Sequence, residues 1–315
     1  RLQTVYCNGK FSSYLPLMTG VPQGSILGPT MFIIYVNDLS AAIINNLVTT
    51  FMYADDLALQ ISCCNHNLVN SLSDECNLVI EDWTSANILC LNRDKTQNLN
   101  FSLSNCQNVQ NVKFLGVIVQ SNLKWNAHVD FLCSKVSKGI FMLRRLKLIV
   151  NLQVLLLVYF SHIQSHLSYA TVVWGNDSHA NKLLILQKRA IRVICNVRVK
   201  THCKPLFRKL RILTVPSLFI LQCLMYVKMY SHSLLTNSHV HEHNTRYNSH
   251  FRISQCNFQR TINSPFEIGI KLFNLLPERL KSLSVSCFKR EIKSFLLDIS
   301  IYSVNEFIDH CKPLK

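Results

Sequence analysis

The chain has 315 residues, 49% of them hydrophobic, with 33 Lys plus Arg against 17 Asp plus Glu and a formal net charge of +16. So much apolar side chain excludes a chain that is disordered over most of its length and suffices for two modest domains or one large one. The positive surplus points to a polyanionic partner, and it is concentrated, since no acid stands between Asp177 and Glu242 while Lys182, Lys188, Arg189 and Arg192 open a series of cations running to Lys228.

The 13 cysteines are odd in number, scattered and without a CxxC pair. They read as free thiols of an intracellular, reducing compartment, not as disulfides or zinc ligands. The first residue is Arg1, not Met, and no basic-then-apolar leader follows, so the chain is expected to be a fragment of a longer protein.

In chain order, Asn8-Gly9 between two short apolar runs predicts a hairpin. Gly28-Pro29 predicts a helix start, and Phe32, Tyr35, Val36 and Leu39 recur at helical spacing, so one face should be core. Asp38, near the end of that helix, is expected to make a structural hydrogen bond and not to bind metal. Residues 51–61 read as a strand, a polar interruption at Asp55-Asp56, and a second strand, which is a hairpin with two carboxylates at its tip. A helix is expected over about 66–90 through Leu68, Leu72, Val79 and Trp83, and a further strand pair in NVKFLGVIV.

Helices dominate beyond about residue 126. The most lipid-like run, 148–163, contains Asn151, Gln153 and His162 and is expected to be a buried helix, not a membrane span. Residues 232–250 are polar and histidine-rich, predicting a linker whose His239, His241 and His243 are loop residues and not metal ligands. The fold class is α+β: a partial palm-like antiparallel sheet with helices, then a mostly helical region.

Adjacent carboxylates repel unless a cation neutralises them. Magnesium, which takes oxygen ligands and keeps positions open for phosphate, suits such a pair, and Mn2+ can take its place. The flanking blocks give the pair a context: GVPQGSILGPTMFIIYVNDL (20–39), YADD (53–56), WTSANILCLNRDKTQNLNF (83–101) and KFLGVIV (113–119). In order and spacing they resemble the palm of reverse transcriptases of non-LTR, jockey-like retrotransposons, and SHLSYATVVWG, LQKRAIRVI and IKLFNLLPERL resemble the region after it.

The resemblance implies an RNA-directed DNA polymerase that adds deoxynucleotides to a DNA primer on an RNA template by two-metal nucleotidyl transfer. Asp55 and Asp56 match the catalytic metal ligands, and Lys95 the lysine offered to the incoming triphosphate. Gln23, Gly24, Ser25 and Tyr53 match the nucleotide and template pocket, and Phe114, Leu115 and Gly116 the primer grip, read as a strand. Lys188, Arg189, Arg192, Arg208, Lys209 and Arg211 would follow the nucleic-acid backbone from a thumb. The implied division is palm 1–122, thumb 123–231, linker 232–250 and C-terminal helices 251–315, with residence in nucleus and cytoplasm. A further catalytic aspartate upstream of the PQGS block is expected to be missing, which leaves this chain inactive alone. The alternative is a non-catalytic nucleic-acid-binding remnant. Gln120 stands where many relatives carry an aspartate.

Overall fold

A computed structural model describes residues 2–18, 20–21, 24–101, 109–239 and 248–312. The chain forms two compact units, Arg1–Gln97 and Asn98–Lys315.

In the first unit, Leu2–Gln3 (β1) pairs with Leu15–Pro16 (β4) and Tyr6–Cys7 (β2) with Lys10–Phe11 (β3). Asn8 and Gly9 both adopt positive φ, as the expected two-residue turn requires. Helix α1 spans Gly28–Val36 and a single turn, α2, Leu39–Ala42. Strands Val48–Tyr53 (β5) and Asp56–Ile61 (β6) form an antiparallel hairpin, followed by the long helix α3, His66–Ala86.

Period-two alternation puts Val48 and Met52 with Leu57 and Leu59 on one face of the hairpin. That face packs on Leu39 and Ile43 and on Cys76 and Ile80 of α3. The Asn65 side chain starts α3 by accepting the Asn67 N–H at 3.0 Å. Past its end, Ile88 turns the chain away with φ +55°. Helix α1 buries less than its spacing predicts: Val36 is buried, whereas Tyr35 stays 46% exposed and Ile34 71%.

The second unit opens with another hairpin, Asn111–Phe114 (β7) and Val117–Gln120 (β8). Among the described residues ten further helices follow after α4, Asn126–Leu146, and α5, Leu152–Tyr159: α6 (Ser165–Ser168), α7 (Thr171–Trp174), α8 (Asn181–Ile194), α9 (Lys204–Leu210), α10 (Val215–Met229), α11 (Gln259–Ile262), α12 (Pro265–Asn274), α13 (Glu278–Lys281), α14 (Val285–Ile299) and α15 (Val304–Cys311). A π-helical turn, Phe160–Gln164, joins α5 to α6. Helix α10 is apolar almost all round because it is the centre of the core, with Phe219, Cys223, Leu224 and Val227 wholly buried.

Gln187 stitches this core: its Nε2 donates to Tyr159 Oη and to the Leu213 carbonyl, each at 2.9 Å, and its Oε1 accepts the Val215 N–H at 3.0 Å. The lipid-like run is helical from Leu152, as expected, but buries one face only; Leu155, Tyr159 and Ile163 are inside while Leu157 is 68% exposed. Among the described residues no single helix is long and apolar enough to cross a membrane.

Candidate metal centre and nucleic-acid surface

The register Tyr53↔Asp56 closes the β5–β6 hairpin with a two-residue turn, Ala54-Asp55. Ala54 takes φ +53°, a left-handed conformation that costs a non-glycine residue on the order of 1–2 kcal/mol. Strain of this kind concentrates at functional tips. Asp56 and Tyr53, as a cross-strand pair, share the outer face with Phe51, opposite the core face.

Both carboxylates are exposed, and among the described residues neither makes a hydrogen bond or ion pair. Two unpaired carboxylates on a tight turn fit one side of a hard divalent cation. No third His, Cys, Asp or Glu joins them in a metal-binding group among the described residues.

Ser25 Oγ accepts the Gly28 N–H at 3.0 Å and so holds the entry to α1, with Pro29 in its first turn. Gly24 adopts φ +82°, where a side chain would be strained, though open space surrounds the position. Gln23 lies outside the described residues. Lys95 ends a short 3-10 turn, Arg93–Lys95, that the sequence itself closes: Asn92 Oδ1 accepts the Lys95 N–H at 3.2 Å and Thr96 Oγ1 donates to the Asn92 carbonyl at 3.1 Å. In LNRDKT, Asn and Thr therefore serve the turn and leave the lysine exposed. Asp38 departs from expectation. The helix breaks before it, so it heads α2, accepts the Ala41 and Ala42 N–H groups through its carbonyl at 2.9 and 3.2 Å, and makes no side-chain cap.

In the second unit the strand pair expected in NVKFLGVIV forms, and the FLGV block, read within it as a primer-grip strand, is the hairpin tip. Phe114 ends β7, Leu115 and Gly116 form the turn with φ +44° and +81°, and Val117 starts β8. Tyr169 Oη donates to the Leu115 carbonyl, and its ring lies 3.4 Å from where a Cβ on Gly116 would be.

Behind this tip the sequence showed neither the capping role of Gln120 nor His128 at all. Gln120, 4% exposed, accepts the Ala127 N–H at 3.0 Å and so caps α4, a task open to any short side-chain acceptor. His128, 1% exposed, accepts the Ile118 N–H through Nδ1 at 3.2 Å between Phe131 and Trp174, and burial lowers its pKa.

Most of the basic series is occupied within the fold. Lys188 Nζ lies 3.6 Å from the Tyr302 ring centroid, and burial lowers its pKa. Arg192 Nε donates to the Thr201 carbonyl at 2.9 Å, and Arg208 to the Ile299 carbonyl at 3.2 Å. Arg211 pairs with Asp298 at 2.8 Å and Lys204 with Glu306 at 2.9 Å. Burial would raise the Glu306 carboxyl, but the Tyr302 N–H and the Lys204 ammonium outweigh it and hold the pKa low. These contacts fasten α14 and α15 to α8 and α9. Arg189 and Lys209 are exposed and make no hydrogen bond or ion pair among the described residues. Of the linker histidines, His241 and His243 lie outside the described residues, as does the side chain of His239.

Residues 2–119 match the family described as reverse transcriptase (RNA-dependent DNA polymerase), whose members use a divalent metal. Over 61–62% of its length the chain is similar to RNA-directed DNA polymerases of mobile elements. It is 27% identical over 220 residues to a probable RNA-directed DNA polymerase from transposon X-element of Drosophila melanogaster, covering 62% of this chain and 24% of that protein. It is 28% identical over 216 residues to the RNA-directed DNA polymerase from mobile element jockey of Drosophila funebris, covering 61% and 23%. The chain thus spans about a quarter of the length of the curated relatives it matches. No solved structure matches it.

Proposed function

We propose that this chain is part of an RNA-directed DNA polymerase that extends a DNA primer on element RNA, with Asp55 and Asp56 as ligands for Mg2+. The YADD hairpin carries the reading: a strained turn presents two carboxylates with no cation of their own. Bound there, a divalent ion would supply charge for a primer hydroxyl and a leaving pyrophosphate. Lys95 is free to meet a triphosphate, Ser25 and Gly24 fix the loop before α1, and the Phe114–Gly116 tip offers backbone to a primer end. Residues 1–122 then serve as palm and 123–231 as thumb, with Arg189 and Lys209 free for phosphate contact. Twelve described cysteines are free thiols, which supports a reducing compartment.

Paramagnetic Mn2+ titrated into the chain is the test. Selective broadening of the amide signals of Tyr53 to Leu57, abolished by Asp55→Asn, is expected; broadening that ignores the hairpin sinks the metal assignment. A second reading, nucleic-acid binding without chemistry, draws on the lack of a third ligand among the described residues. It predicts salt-dependent binding of an RNA/DNA hybrid that survives Asp55→Ala, with no extension of a primer by this chain.

A further inference from the structure

Helices α4 and α8 run side by side in the same direction, because they are tied at both ends. Lys182 Nζ reaches Asp130 Oδ1 at 2.8 Å near their N-termini, and Lys147 Nζ reaches Asn196 Oδ1 at 3.2 Å near their C-termini. Between the ties lies roughly 20 Å of paired helix. Its solvent side has an unusual composition. Between Asp130 and Asp177 the sequence has no acid, and Asp130 itself is neutralised by Lys182.

On this acid-free side Phe141 of α4 is 59% exposed, and nearer the start of α8 Ile185 is 58% exposed. The Arg145 guanidinium lies over the Phe141 ring, 5.3 Å from its centroid, while Arg144 and Arg189 are exposed beside the two ridges. The pairing recurs about three turns toward the start of α4, where Lys113 and Lys135 stand 5.7 and 5.5 Å from the Phe131 ring.

A duplex gripped by its phosphates is met by cations alone and gives the open phenyl ring nothing to stack on. Unpaired bases do need a ring, since every base has a face that can stack on an aromatic side chain while neighbouring cations hold the phosphates. We propose that the α4–α8 ridge binds single-stranded nucleic acid, with Phe141 as stacking platform and Arg144, Arg145 and Arg189 as phosphate contacts. Its length suits the short end of the roughly 4–16 nucleotides that such sites cover. The assignment stands apart from the metal hairpin and does not rest on the polymerase reading.

The test is fluorescence anisotropy with the 315-residue chain in a metal-free buffer. Three probes of about 12 nucleotides are compared: labelled oligo(U), a strand of the same length without bases, and an RNA/DNA hybrid. Phe141→Ala should weaken oligo(U) binding about five- to hundredfold and leave the other two probes unchanged, whereas Phe141→Tyr should restore it. Asp55→Asn should have no effect, so failure here and failure of the metal site are separable. Because Phe141 faces solvent, an unchanged unfolding transition should accompany the loss. Equal losses on all three probes, an oligo(U) affinity within about twofold of the unaltered chain, or Phe141-dependent binding to phosphatidylserine vesicles with none to oligo(U) would each overturn the proposal.

Discussion

The two units spend their apolar residues differently. In Asn98–Lys315, Tyr159, Trp174, Phe207, Phe219, Phe288 and Phe307 are wholly buried in one continuous core. In Arg1–Gln97 the hairpin rests on a small cluster around Leu39, Ile43, Cys76 and Ile80. Meanwhile Ile26, Met31, Ile33, Ile34 and Ile44 are exposed. The carboxylate hairpin therefore sits in the thinly cored unit, and the larger buried core lies in the helical one.

The largest blow to that contrast should come from Gly175→Ala. A Cβ there would stand 2.6 Å from the Thr171 carbonyl oxygen and 2.9 Å from Phe219, and backbone cannot yield as a flexible side chain does. Overpacking of this kind typically costs about 1–3 kcal/mol, and the backbone clash puts this site at the upper end or beyond. Urea unfolding should show the helical unit's transition displaced, with hydrogen exchange in α3 unchanged. An α3 that loosens equally would break the contrast.

Gln187→Ala comes next. It strips partners from the Val215 N–H and the Leu213 carbonyl inside the core, at about 1–3 kcal/mol per buried group left unpaired. Gln187→Leu, of similar size, should lose nearly as much, which would show that hydrogen bonds and not volume are at stake.

Acid should act on the same unit through His128. Burial lowers its folded-state pKa beneath the ordinary 6.5, so the unfolded chain binds the proton more readily. Stability then rises with pH through that interval and falls as pH drops from about 6.5 toward the folded value. Protonation also removes the Nδ1 acceptor from the Ile118 N–H. His128→Gln should flatten the acid limb of a melting-temperature profile; an unchanged limb would assign it to other groups.

The hairpin, the long α3 and the helical second half were legible because alternation, spacing and turn residues agree with burial there. FLGV misled because its apolar letters resemble a strand, and only the positive φ of Leu115 and Gly116 reveals the turn. Asp38 misled for a related reason: a helix break between Val36 and Leu39 leaves no mark in an unbroken apolar pattern. The basic series illustrates a deeper limit. Charge can be counted in sequence, but Lys204 meets Glu306 across 102 positions and Arg211 meets Asp298 across 87, so which cations remain free is decided by tertiary packing. Gln120 and His128 were invisible likewise, since a cap and a buried acceptor are defined by the backbone N–H each one meets.

The smallest effect tests the thin unit directly. Ser25→Ala removes the acceptor for the Gly28 N–H at the entry to α1, a loss of about 0.5–2 kcal/mol for a helix start. Helix α1 buries only Gly28 and Val36, so little packing holds its first turn once that bond is gone. Faster amide exchange should therefore appear over Gly28 to Phe32 and fade before the β5–β6 hairpin, whose register and core face owe nothing to Ser25. Should the exchange spread through β5 and β6, the first unit would be a single cooperative body despite its small core. The PQGS loop and the carboxylate tip would then answer to one folding equilibrium.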